Sequence, residues 1–170
     1  MNPDIDLRLA PLTKALTEVV LPALPASERL ARDQVMLVIG HLGMITQQWK
    51  LALSFELESY AALCTLAQNL VPLLDDGKLV AELGTAIDAA SDIDRTNYDN
   101  VQDASRALAA LVDRAISDDY RSRPLDPRIR DAVLEHADRQ GRRERIWFAG
   151  NGLDPDQQAA LSTLFEPATG

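Results

Sequence analysis

The sequence predicts an all-α protein, an up-and-down helical bundle with a long central helix and two short C-terminal helices. Ala and Leu fill 50 positions, whereas Val, Ile and Thr together fill 25, a balance that favours helix over sheet. Apolar residues also recur at three- and four-residue steps over long stretches, the repeat of one helix face. Finally, Asp126-Pro127 and Asp154-Pro155 each pair a capping carboxylate with a proline suited to the first helical position.

Taken in order, Pro11 suits the first turn of a first helix, on which Leu12, Leu16, Val19 and Val20 form an apolar stripe until Pro22 and Pro25 end it. Ser27 and Glu28 open the next helix. Its stripe runs through Val35, Val38, Leu42, Ile45, Trp49 and Leu53, then Leu57, Tyr60, Cys64, Ala67 and Val71. Steps of three and four alternate as in a coiled-coil seam, with one stutter between Trp49 and Leu57 where fours run together. As one piece, residues 27–71 would span about 68 Å, against a diameter near 40 Å for a compact chain of this length. Either the helix breaks, near Gly40 and Gly43 or near Leu51 to Ser54, or it stays whole and projects into a partner subunit.

Asp75, Asp76 and Gly77 read as a turn, and Leu79, Val80, Leu83, Ile87 and Ala90 as a third helix. Asp92 or Asp94 can cap a fourth, carrying Tyr98, Val101, Ser105, Leu108, Leu111, Val112 and Ala115. Residues 117–127 read as a linker. Two short helices are expected beyond it, Pro127 to Gln140 and Pro155 to Phe165, separated by Gly141 to Gly152, with a frayed tail from Pro167. The expected domains are a bundle over residues 1–120 and an arginine-rich helical appendage, 121–170, packed on it.

With 17 basic and 26 acidic side chains the formal charge is -9, so the molecule as a whole repels phosphate backbones and anionic lipid. Neither nucleic acid nor membrane is an expected partner. The longest apolar window, Val35 to Ile45, is too short for a membrane span of about 20 residues. Cys64 is the single cysteine and cannot form an intramolecular disulfide, and no charged-then-apolar leader opens the chain. A cytoplasmic location of bacterial type is expected.

Most of the known catalytic patterns are missing from the sequence. The residues three before His41 and His136 are Val38 and Val133, so the paired Glu-x-x-His of a di-metal bundle is missing, and no metal is expected. There is no nucleophile elbow, paired Cys-x-x-Cys or phosphate-cradling glycine loop, and no cofactor is expected. His41 and Cys64 are 23 residues apart, about 34 Å along a continuous helix, far beyond the reach of a nucleophile and its base. Cys64 reads as a buried structural thiol, and His41 as a hydrogen-bonded or interface histidine.

Candidate ligand-binding residues are Trp49, Glu56 and Tyr60, which helical spacing places on one face, and Arg142 and Arg143 of the arginine-rich segment. Arginine suits bidentate pairing with a carboxylate or phosphate. Docking of the segment onto the acidic stretch from Asp75 to Asp119, with Trp147 and Phe148 as anchors, is the simpler use. A nucleotide or coenzyme A thioester is the other.

Glu18-Val19-Val20-Leu21-Pro22-Ala23-Leu24, followed by Ala31-Arg32-Asp33-Gln34 and the apolar run to Ile45, resembles the opening of a group of uncharacterised small helical bacterial proteins. These are often encoded beside aminoglycoside-phosphotransferase-like kinases and acyl-CoA dehydrogenases. The resemblance covers the first third of the chain. It implies an accessory role near acyl-CoA or phosphotransferase enzymes and brings no catalytic residues with it. The expected function is a non-enzymatic helical accessory or interaction protein that self-associates, as a homodimer built on the Val35 to Val71 helix. The alternative is a protein or enzyme that binds a small molecule, acyl-CoA or nucleotide, in a pocket of the bundle.

Overall fold

The computed structural model describes residues 4–122, 124, 126–149 and 161–165. All regular secondary structure among these residues is helical, without a strand among them. The helices are α1 (Ile5–Ala15), α2 (Leu21–Ala23), α3 (Arg29–Gln48), α4 (Ala52–Leu70), α5 (Gly77–Ala89), α6 (Tyr98–Ser122) and α7 (Pro127–Phe148). None of the described helices is long and apolar enough to cross a membrane. Packing divides the chain into two compact units, residues 1–51 with 143–170, and residues 52–142.

In the first unit the chain starts its helix earlier than Pro11. The Asp4 carboxylate accepts from the Asp6 N–H at 3.3 Å, capping α1, and Pro11 lies inside the helix. A π-helical turn, Leu16–Val20, follows, and Pro22 falls in the short α2. Glu28 begins α3 without a side-chain cap. Arg32 takes up the capping task from the other direction. Its Nη1 donates to the carbonyls of Leu21 at 3.1 Å and Leu24 at 3.0 Å, satisfying acceptors that the end of the first helical run leaves open. The result is an α-hairpin in which α1 and α3 pack side by side.

The long central helix does not form. α3 ends at Gln48 and α4 begins at Ala52, with a turn over residues 49–51 closed by the Leu51 N–H on the Gln48 carbonyl at 2.9 Å. This is where the stutter in the apolar repeat moves the stripe out of register, so one straight helix cannot keep both halves facing a core. Gly40 and Gly43 leave α3 unbroken.

The second unit holds a continuous core. Tyr60, Leu66, Ala67 and Leu70 of α4 meet Leu79 and Leu83 of α5, Val101, Leu108, Val112 and Ala115 of α6, and Ile129 of α7. Leu70, Leu83, Leu108, Ile129 and Val101 are fully buried, each contributing about 1.5–3 kcal/mol relative to an exposed position. Asp76 caps α5, accepting from the Lys78 and Leu79 N–H groups. Asn97 caps α6, accepting from Asp99 and Asn100, so neither Asp92 nor Asp94 has that role; Asp94 instead closes a turn onto Thr96. The Arg114–Glu82 ion pair joins the far half of α6 to the near half of α5, so these helices run in opposite directions.

Two C-terminal expectations change. α6 continues to Ser122, through most of the expected linker. The Asp126 cap and Pro127 start α7 as read, with the Arg128 N–H on Asp126 at 2.8 Å, but the helix passes Gly141 and ends at Phe148. Pairs four apart, Arg139–Glu135 and Arg142–Asp138, span this stretch, and Trp147 is buried near its end. Of the second C-terminal helix, the described part is a 3-10 turn, Leu161–Phe165; its expected start at Pro155 lies outside the described residues.

Candidate functional site

The sequence-derived candidates fall in different units. Trp49 belongs to the first, at the turn after α3, where its indole N–H donates to the Asp6 carboxylate at 2.8 Å. Lys50 donates to the other oxygen of Asp6 and lies 5.1 Å from the centre of the Trp49 ring. The Lys50 ammonium first, and the indole second, hold the Asp6 carboxyl below the usual carboxylate range; Asp6 in turn raises Lys50. This three-residue clasp ties the start of α1 to the end of α3. Asp6 and Lys50 carry no sequence signal, because 43 positions separate Asp6 from Trp49.

Glu56 and Tyr60 belong to the second unit, one turn apart on α4. Glu56 accepts from the Tyr98 hydroxyl at 3.2 Å, and Gln102 donates to the same hydroxyl at 3.2 Å, a short chain that ties α4 to the start of α6. Partial burial, and then the Glu56 charge, push the Tyr98 phenol above its usual value. Tyr60 is buried in the core of the second unit. Burial raises its phenol and also raises the neighbouring Cys64 thiol. Cys64 is therefore a protonated packing residue at neutral pH.

Arg142 is exposed and grips Asp138 through two nitrogens, Nε at 3.2 Å and Nη2 at 2.8 Å. Its fork is occupied within its own helix, by the carboxylate geometry that a phosphate would otherwise require. Arg143 is half-buried in the first unit. His41 is exposed on α3 with Nδ1 2.9 Å from the Leu37 carbonyl, a local contact within the helix. His136 is half-buried on α7, and its Nδ1 is buried with no hydrogen-bond partner among the described residues. Burial, reinforced by Arg139, lowers the His136 imidazole below its ordinary value.

The second unit also has a hollow of about 100 Å³ between the start of α5 and the end of α6, lined by Leu74, Asp75, Asp76, Leu79, Ala115, Asp118 and Asp119. A neighbouring depression of about 200 Å³ adds Lys78, Glu82 and Arg114. Four carboxylates around one small hollow repel an anion. Among the described residues, no three or more His, Cys, Asp or Glu side chains are placed to hold a metal ion.

The first unit has a different character. α1 buries Leu9 and α3 buries Met44, whereas Ile5, Leu12, Val19, Leu37, Val38 and Ile45 are exposed. A 20-residue helix with one buried side chain gains little of the tertiary packing that normally stabilises helices in water. No family model, curated protein or solved structure matches this chain.

Proposed function

We propose that the protein is a non-enzymatic helical interaction module that works by self-association. The observation that carries this reading is the apolar surface of the first unit, where α3 exposes Leu30, Met36, Leu37, Val38 and Ile45 and buries Met44. Scattered exposed apolar residues are ordinary, but several that share one side of a helix, as Leu30, Leu37, Val38 and Ile45 do within about 100°, mark an interaction surface. The four helices of the second unit serve in this reading as an up-and-down bundle, the scaffold that carries the surface. A cytoplasmic location, and enzymes acting on acyl-CoA or phosphotransferases as eventual clients, belong to the same proposal.

The alternative, an acyl-CoA or nucleotide held by Arg142 and Arg143 with Trp49, Glu56 and Tyr60, has weaker support. Arg142 is engaged with Asp138, Tyr60 is in the core, and Glu56 is held by Tyr98. The carboxylate-lined hollow is of the wrong sign for a phosphate.

Multi-angle light scattering of the full chain across micromolar concentrations tests the proposal. A mass above the 18.6 kDa of one chain, rising with concentration, is expected. A constant 18.6 kDa throughout would contradict it.

A further inference from the structure

Resting on the self-association reading, we infer that the occupant of the apolar surface is a second copy of the same hairpin, so that two α1–α3 hairpins close into an intermolecular four-helix bundle. The first argument is periodicity. On α1 and its continuation, Ile5, Leu12 and Val19 are exposed and stand seven residues apart. On α3, Val38 and Ile45 stand seven apart, as do Leu30 and Leu37, and all four are exposed. Seven-residue rows are the repeat of helices that pack against other helices at a shallow angle.

The rows also share a face. At 100° per residue, Leu12 lies about 60° to one side of the buried Leu9, which marks the covered side of α1. On α3, which runs back along α1, Val38 and Ile45 lie about 80–100° to the same side of the midline between the half-buried Val35 and Ile39. The hairpin therefore presents one apolar face contributed by both helices; Leu30 and Leu37 lie farther around α3, in the row whose next member, Met44, is buried. Exposures of 54% for Leu12, 65% for Val19, 47% for Val38 and 44% for Ile45 show how much of it is uncovered.

Charge and area select the occupant. The chain carries -9 overall, yet residues 4–49 hold five acidic and four basic side chains, and residues 34–49 hold no Asp, Glu, Lys or Arg at all. On the α1 side the exposed Arg8, one turn before Leu12, stands beside the row, so a partner recognised by charge has little to read on this face, whereas a second copy meets a surface that is largely uncharged. The helical run from Ile5 to Ala23 and α3, each about 30 Å long and set 8–10 Å apart, make a face of roughly 600 Å², comparable with the roughly 800 Å² that each partner contributes to a standard stable interface. A pairing of identical faces is two-fold symmetric and closes at the dimer. Because each copy carries the same negative charge away from the face, moderate salt strengthens this dimer by screening.

The test is light scattering on the full chain with single charge insertions. Val38→Glu and, separately, Leu12→Glu are expected to give 18.6 kDa at concentrations where the wild type gives twice that, with helical circular dichroism retained; Leu134→Glu, on the exposed side of α7, is expected to leave the dimer intact. A second measurement does not depend on how those variants fold. In a Cys64→Ser background, Val38→Cys is expected to cross-link into dimers with a short bis-maleimide, and Leu134→Cys is not. A wild type that is monomeric overturns the self-association reading itself. A wild type that dimerises while Val38→Glu and Leu12→Glu remain dimeric, or a Val38→Cys chain that does not cross-link, overturns only the hairpin as its interface.

Discussion

Two side chains give the account its sharpest tests at the residue scale. His136 titrates near 6.5 in an unfolded chain, and burial lowers it in the folded one. Below about pH 6.5 the unfolded state therefore binds the proton more readily than the native state, and stability falls as pH drops from there towards the folded value. His136→Gln should flatten that limb of the stability curve, measured by urea denaturation at a series of pH values. An unchanged slope in the variant would show that other groups carry it. Cys64, partly buried beside the core and raised by that burial, should react with a thiol reagent at neutral pH far more slowly in the native protein than in denaturant. Equal rates would remove it from the core. Tyr60 and Cys64 were legible in the sequence as members of one apolar stripe, but the stripe could not separate a pocket wall from a core position. Only the arrival of α5 and α6 on the same side of α4 decides that.

Among the elements, what local chemistry controls was readable and what distant partners control was not. Asp126 and Pro127 form a start signal within two residues, and α7 begins there. The end of α7 depends instead on contacts of Trp147, whose backbone carbonyl accepts from Gln48, 99 positions away, at 2.7 Å. No local rule anticipates that contact, so Gly141 was overvalued as a stop. The break after α3 was partly readable, since the stutter after Trp49 marked the register change, while Asp6 as the residue that clasps Trp49 and Lys50 was not. These contacts also rank the C-terminal side chains. Trp147 is 8% exposed, whereas the Arg142 side chain is 76% exposed and pairs within its own helix. Trp147→Ala should cost about 3–5 kcal/mol of packing in the first unit, and Arg142→Ala about 0–1 kcal/mol. Thermal and urea unfolding of the two variants compare them directly; equal losses would mean that the arginine contacts, not the aromatic, hold the end of α7.

For the whole molecule, the contrast between the two units governs the account. Residues 52–142 enclose a core to which α4, α5, α6 and α7 all contribute, whereas α1 and α3 bury one side chain apiece and leave heptad rows exposed. The net charge of -9 is carried almost wholly outside residues 4–49, so the part of the chain with the most uncovered apolar surface is also the part with the least charge. A second copy that stabilises the hairpin does so by mass action, adding stability to the bound segment in proportion to the logarithm of concentration over the dissociation constant. Amide hydrogen exchange at several protein concentrations reads that stability segment by segment. Protection of Ile5–Ala15 and Arg29–Gln48 is expected to rise as the concentration is raised through the dissociation constant, while that of Gly77–Ala89, held by its own core, stays unchanged. Protection of the two hairpin helices that is the same at the lowest and highest concentrations would contradict it.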